Sequence, residues 1–597
     1  MKSLIATLSL LVFALLSLSL AQNEGNLYEG NLYDLNNRHV NQNAAIDAQN
    51  VSQLQQAWLI PTEEPVSHAP LIEGNRLYFA DWGGNVYAAD ANTGDILWQT
   101  KAQDEVMEMW PWYGFSGTGA LSDTMLFQAS TEGMAYGLDK ESGEVLWTTS
   151  LTDDEHGGSI SKLLYYDGLV YIGLSSTEEA LDEAMPDFTP NFQGKVMALN
   201  AETGEVAWER PLVEAPSNGV PMWSSFALDP SMNALFFTTG NNYTGESTEL
   251  ADAVIAVDAK TGEILWANQI TEGDVWTIAE AVGPDYDFGG GAQLFEAAVN
   301  GETRSLVGAG QKSGIFHALD RATGEVVWQT FVGYPATGGG IHTEGSMGDG
   351  VVYVWSNNNN TYGAPPEERP ITVKALDAAT GETLWYKDGA QPAGIPAASM
   401  LANDVLFVGS LDGTLKGYNA ADGSELWSAK YGGAVATPLN VVGNTLYFGT
   451  GVPERFGGQP GGNGVVAYSV GGQADVAAAA SSGAASSTAS STETQALATE
   501  LVEVSLSQWN IDMPSTLSLA DTGRNPGQFI FEVTNDGTVE HNFEIEGQGV
   551  EQAFETNLQP GETRTMTVTL QPGTYHVYCP IGNHAEMGME LQLTVTE

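Results

Sequence analysis

Cysteine is almost absent: Cys579 is the only one in 597 residues. No internal disulfide can brace the chain, and a lone thiol in an oxidising compartment is best explained as a thiolate held by a metal. Basic residues are nearly as scarce. Twenty Lys and Arg stand against 75 Asp and Glu, a formal net charge of −55. Nucleic acid and anionic membrane surfaces would repel such a chain, so neither is an expected partner. The acid is spread along the whole length, which fits solubility better than one docking patch. Long apolar runs are missing beyond Leu4–Leu20. Between Lys2 and Ser19-Leu20-Ala21, that run reads as a secretory signal over residues 1–21, with Gln22 opening the mature chain and a secreted or periplasmic destination. No later stretch has the ~18 apolar residues needed to span a bilayer. There is also no Cys-x-x-Cys-His, which excludes a c-type haem attached to this chain.

What is present is a repeat. An aliphatic strand leads into Asp-x-x-Thr-Gly-Glu-x-x-Trp or a close variant, with the tryptophans at Trp98, Trp147, Trp208, Trp266, Trp328, Trp385 and Trp427. The interval is about 40 to 60 residues, the mark of a repeat architecture. In each copy the Gly supplies a positive φ and the Asp caps the turn, so the unit reads as strand, tight turn, strand. The tryptophan is expected to pack between neighbouring sheets. Four short strands per unit around an axis make a β-propeller. A last copy near Val470 lacks its tryptophan, which gives seven full repeats and one partial. The fold expected over residues 22–470 is therefore an eight-bladed β-propeller, its last blade completed by the early segment Leu54–Trp58.

Residues 471–499 are rich in Ala, Ser and Thr and lack aromatics, as a flexible linker does. Residues 500–597 return to period-two runs such as Gln528–Val533 and Thr565–Leu570, punctuated by Pro-Gly, and predict a small β-sandwich. A blue-copper site needs two imidazoles, a thiolate and a weak axial thioether. His541 lies upstream, and the loop after Tyr578 carries Cys579, His584, Met587 and Met589. This domain resembles the plastocyanin/azurin cupredoxins. The resemblance implies type 1 copper held by His541, Cys579, His584 and Met589. Met587, three residues after His584 rather than five, is the weaker axial candidate. His576 faces away from Tyr575 and Val577 and reads as a surface histidine. Four protein ligands leave no open position, so the task implied is one-electron transfer.

The propeller carries its own signatures: Tyr171-Ile-Gly-Leu-Ser175-Ser-Thr-Glu178, Pro221-Met-Trp223, Thr239-Gly240-Asn241-Asn242, Gly273-Asp274-Val-Trp276, Asp285-Tyr-Asp287 and Gly308-Ala-Gly-Gln311-Lys312. Together these resemble the quinoprotein alcohol dehydrogenases, closest to the polyvinyl-alcohol-dehydrogenase branch. That likeness implies pyrroloquinoline quinone (PQQ) with Ca²⁺ on the axis. Position by position, it implies Glu178 and Asn241 as calcium ligands, Trp223 as the stacking floor and Ser175 as partner to a cofactor carboxylate. Lys312 would donate to the quinone carbonyl. Asp287 or Asp285 would be the base, since Thr277 follows Trp276 where many members place it. The vicinal cysteine pair of many members is missing, no arginine partners for the cofactor can be placed, and the paired aspartates leave a lanthanide open. The implied activity is oxidation of a small or polymeric alcohol, with electrons leaving singly through the fused copper to an external cytochrome c or another cupredoxin. The competing reading is a copper electron-transfer protein whose propeller only binds a partner.

Overall fold

A computed structural model describes residues 34–477 and 500–596, except 104–105, 107–112, 180, 182–184, 186–187, 280–281, 336–338, 358–370, 389–397, 436, 452–461, 508–509, 514, 519–526, 538, 549, 555, 583, 586 and 588. The expected signal over 1–21 and most of the expected linker lie outside those residues. The chain divides into two compact units, 1–483 and 484–597.

In the first unit the repeat sequence becomes a repeat of sheets. The first is typical: Leu71–Glu73, Arg76–Ala80, Asn85–Asp90 and Ile96–Lys101 pair antiparallel in chain order. Seven more sheets of this pattern follow up to Val470 among the described residues. The fold is all-β and propeller-like. The turn before the outer strand explains the motif. Asp90 Oδ1 accepts from the backbone N–H of Asn92 at 2.9 Å and Thr93 at 3.0 Å, and Gly94 sits at φ 77°. The glycine has a second duty. A Cβ on Gly143 would lie 2.6 Å from the Trp98 ring, and one on Gly204 would lie 2.6 Å from Trp147. Six of the seven repeat tryptophans, all but Trp427, thus rest on the next repeat's turn glycine, and the indole N–H donates to that turn, as from Trp98 to the Lys140 carbonyl at 3.1 Å. The same bond recurs from Trp147, Trp208, Trp266, Trp328 and Trp385. Turn and tryptophan are therefore one device that ties each sheet to its neighbour.

The strand Leu54–Pro61 lies antiparallel to Gly464–Val470, in the place the degenerate last copy leaves open. Ahead of it, residues 34–45 form a strap that the repeat pattern does not announce. Its carbonyls accept from successive sheets: Leu35 from Leu228, Asn36 from Leu294, Arg38 from Met347 and His39 from Leu401. Residues 471–477, which composition groups with the linker, are packed instead. Ala474 is buried, and the Val476 N–H bonds Asn92 Oδ1 at 3.0 Å.

The second unit is a sandwich of two sheets. One orders Asn510–Asp512, Glu500–Ser507, Gly527–Asn535 and Thr563–Leu570. The other orders Thr516–Ser518, Glu590–Thr596, Gly573–Tyr578, Glu544–Gly547 and Val550–Ala553. Phe529, Phe531, Met566 and Val568 from the first sheet meet Ile545, Tyr575, Val577 and Leu593 from the second in one core. Cys579 and Met589 belong to that core.

Candidate functional site

Polar side chains gather in each unit, and their donor atoms differ. In the first unit three consecutive sheets supply Ser175 and Glu178, Asn241, and Lys312 from equivalent connections between their second and third strands, while Trp223, Asp285 and Asp287 come from the connections that join one sheet to the next. In one sheet this connection is a tight turn, Gln311-Lys312-Ser313-Gly314, closed by the Gly314 N–H on the Gln311 carbonyl at 2.9 Å with Gly314 at φ 78°. The turn is pinned by the Lys312 N–H on the Asp287 carbonyl at 2.9 Å. Lys312 Nζ then reaches Asp285 Oδ1 at 2.7 Å and Asp287 Oδ2 at 2.9 Å, with all three side chains buried. Burial alone would lower the ammonium's pKa, but Asp285 and Asp287 outweigh it and hold the group charged, above the ordinary lysine range. The Asp285 carboxyl is pushed upward by burial, against the pull of Lys312, with Asp287 and Glu179 adding to the rise.

Asp287 is fully engaged, because its Oδ1 also accepts the Asn241 backbone N–H at 2.6 Å. Asp285 is not: its buried Oδ2 has no hydrogen-bond partner among the described residues. Asn241 repeats the asymmetry. Its Nδ2 donates to the carbonyls of Asn242 at 2.6 Å and Trp276 at 2.8 Å, while its buried Oδ1 has no donor. Buried acceptors left without donors are costly unless something else satisfies them. An amide oxygen in this state can serve a hard cation, and a free carboxylate oxygen can take either a cation or a proton. Trp223, half-buried, lies with its ring centroid 5.9 Å from Lys312 Nζ and 6.4 Å from the His342 ring.

Glu178 and Ser175 come from the preceding sheet's connection. Ser175 pairs with Gly158 in a two-residue ladder. Glu178 is buried, and its Oε2 accepts the N–H groups of Asn191 and Phe192, both at 2.7 Å. Burial pushes its carboxyl up to about 7, against those two donors. The next residue, Glu179, acts electrostatically on Lys312 and Asp285. Contacts thus join Trp223, Asn241, Asp285, Asp287 and Lys312, with the Glu178 loop linked through Glu179. Sequence reasoning missed Asp252, Asp274 and His342. Asp274 stood inside a quoted motif, and its carboxylate accepts the N–H groups of Asp285 at 3.2 Å and Tyr286 at 2.6 Å, which fixes the acidic segment's course.

In the second unit His541, Cys579 and His584 place ligand atoms within 4.8 Å of one another. His541 is pinned by reciprocal backbone bonds with Leu558, at 3.0 and 2.7 Å. It is buried and neither ring nitrogen has a hydrogen-bond partner among the described residues. Burial, then the neighbouring His584, keeps the imidazole below the ordinary histidine range and so neutral at pH 7, the form that binds a metal. Cys579 Sγ lies 3.4 Å from His584 Nδ1 and accepts the Asn542 N–H at 3.3 Å. Two imidazole nitrogens and one sulfur suit a soft or borderline ion such as copper. Met589 is fully buried and its carbonyl accepts the Cys579 N–H at 3.1 Å, whereas Met587 is 41% exposed. His576 is a surface residue on the same sheet, between Glu546 at 3.3 Å and Glu590 at 2.8 Å.

A family model, PQQ_2, described as outer membrane protein assembly factor BamB, matches residues 44–330, 250–364 and 371–508. The chain is 26% identical over 455 residues to a polyvinylalcohol dehydrogenase of Sphingopyxis sp. (strain 113P3), covering 70% of this chain and 68% of that one. It is 26% identical over 431 residues to a polyvinylalcohol dehydrogenase of Pseudomonas sp., covering 66% of each. The chain thus spans about two thirds of the length of these relatives. Among solved structures, the quinohemoprotein alcohol dehydrogenase ADHIIG of Pseudomonas putida HK5 superposes with a TM-score of 0.62 at 19% identity, over 75% of this chain and 81% of that one. At that identity the likeness concerns the fold.

Proposed function

The chain belongs to the PQQ_2 family, and on that premise we propose that it is an exported PQQ-dependent alcohol dehydrogenase, an eight-bladed propeller fused to a type 1 copper cupredoxin that carries its electrons away. The observation that supports this reading best is the pair of buried, donor-less oxygens, Asn241 Oδ1 and Asp285 Oδ2, beside the Lys312 ion pair. A partner-binding scaffold has no use for such a site.

When bound, PQQ and Ca²⁺ would supply a hydride acceptor and a Lewis acid. The chain's own residues do the rest. Glu178 and Asn241 offer oxygens to the cation. Trp223 offers a ring face, Ser175 a hydroxyl to a cofactor carboxylate, and Lys312 an N–H to the quinone carbonyl. Asp285 takes the alcohol's proton, because its Oδ2 is unclaimed whereas both oxygens of Asp287 are held. Asp287 is then the residue that fixes Lys312 and the Asn241 loop. His541, Cys579, His584 and Met589 would hold a copper ion, which would supply one-electron chemistry. A tether within 478–499 would raise the effective concentration of this acceptor. The substrate class is a small or polymeric alcohol, and the final acceptor is an external cytochrome c or another cupredoxin.

The test uses the full chain loaded with copper, Ca²⁺ and PQQ. Primary and secondary alcohols should bleach the blue absorption, and only when PQQ is present. If copper gives the blue band but no alcohol bleaches it and no quinone binds, the propeller is a scaffold and the reading falls to a copper electron-transfer protein.

A further inference from the structure

Asp252 closes the connection that carries Asn241. It is completely buried, and neither carboxyl oxygen has a hydrogen-bond partner among the described residues. The backbone holds it there in a left-handed conformation, φ 49°. Its N–H bonds the Gly240 carbonyl at 3.1 Å, and its carbonyl accepts the Ile270 N–H at 3.0 Å. Gly240 is also where Asp287 rests: a Cβ there would lie 2.8 Å from Asp287 Oδ1. Asp252 and Asp287 therefore flank the same glycine.

The charged groups that act on Asp252 are Asp287, Asp274 and Asp285 from the connection between two sheets, and Lys312 from the neighbouring turn. Burial is the largest influence and raises its pKa, the three aspartates add to the rise, and Lys312 opposes it. Donors decide which carboxyl stays ionised. Asp274 accepts two backbone N–H groups, and Asp287 accepts one N–H and the ammonium. Asp252 accepts none. A buried carboxylate without a donor, facing other carboxylates, is the member that keeps its proton.

We propose that Asp252 is a neutral carboxylic acid at pH 7 behind the Asp285–Lys312–Asp287 group. It is a positioning residue, acting through the charge balance of that group. Its neutrality limits the buried negative charge that Lys312 must balance. This role rests on the dehydrogenase reading, but the protonation state does not, and the two are measured separately.

The experiment uses the full chain with Ca²⁺ present and compares wild type with D252N, which is isosteric with the neutral acid. Infrared spectroscopy at pH 7 should show the carbonyl stretch of a protonated carboxylic acid, lost in D252N and retained in E178Q. Thermal unfolding supplies the sign. A carboxyl with a raised folded pKa loses stability as pH climbs from its unfolded value, so the melting temperature of D252N should gain on wild type as pH rises from 4 to 8. In turnover, D252N should shift the pH dependence of kcat while leaving KM within about twofold, whereas a purely structural residue would move neither profile. An infrared band untouched by D252N, or a melting difference flat with pH, overturns the proposal. If D252N does not fold, D252S takes its place in the same measurements. If the band behaves as stated but no alcohol is oxidised by wild type, the dehydrogenase reading fails and the protonation assignment stands.

Discussion

The two polar clusters are built on opposite plans. In the propeller unit, oxygens and one ammonium come from connections between residues 175 and 312, gathered by three neighbouring sheets, and the charge is high. In the sandwich unit, sulfur and imidazole nitrogens come mostly from one loop, Cys579–Met589, with His541 held by one bridge to Leu558. The first plan suits a hard cation and acid–base work, because carboxylates can both ligate and move protons. The second suits a soft ion that changes charge without moving one. Both share one trait, buried polar atoms with no protein partner among the described residues.

The comparison breaks most visibly at Cys579. Cys579→Ser should abolish the intense blue absorption on copper addition, while calcium binding measured by calorimetry stays unchanged. If calcium binding falls too, the clusters are not independent. Next come the aspartates. Asp285→Asn should lower kcat by about 10²–10⁴-fold in steady-state assays. Asp287→Asn should lower it less and cost more in stability, because its loss frees Lys312 and the Asn241 loop together. Equal losses would refute the division of labour drawn from the open Oδ2. Lys312→Ala leaves two buried carboxylates unpaired and should destabilise the propeller by about 3–5 kcal/mol, read from denaturant unfolding.

His317 has the same trait outside both clusters. It is buried with both ring nitrogens unpartnered, yet it packs edge-on against Phe288 and belongs to neither cluster. Burial pushes its pKa down to about 4. Unfolded, it would take a proton near pH 6.5. As pH falls between these values the unfolded state binds the proton first, so wild type should lose roughly 3 kcal/mol by pH 4 that His317→Leu keeps. The two should match at pH 8. The smallest effect belongs to the axial position: Met589→Leu should keep the blue colour and shift the potential, while Met587→Leu changes neither, by redox titration.

The sequence was most legible where the chemistry is local. The Asp-x-x-Thr-Gly…Trp repeat carries turn, strand and inter-sheet contact within a dozen residues, so the sheets could be read from it. Cys579, His584 and Met589 fall in one loop, and Met589 could be preferred by spacing alone. The oxygen cluster is different. Asp252 looks like any loop aspartate, and nothing in its neighbours tells that the fold buries it within electrostatic reach of Asp287. Asp285 and Asp287 could not be ranked, because what separates them is which oxygens Asn241 and Lys312 occupy. The strap over residues 34–45 escaped for the same reason, since it is held through main-chain carbonyls that leave no side-chain signature.

The strand Leu54–Pro61 has a consequence for how the molecule comes into being. Its hydrogen-bonding partner, Gly464–Val470, is synthesised some four hundred residues later. Until that segment exists, the early strand has no ladder to join and the last sheet has no outer edge. Closing so long a loop is slow, and it must happen before the ring can reward it. A nascent chain therefore holds its first strand without that ladder, and a chain truncated before 464 cannot form it. The seam cannot form before residue 470 is made, and until then it is where a protease or a competing strand would find the molecule unfinished.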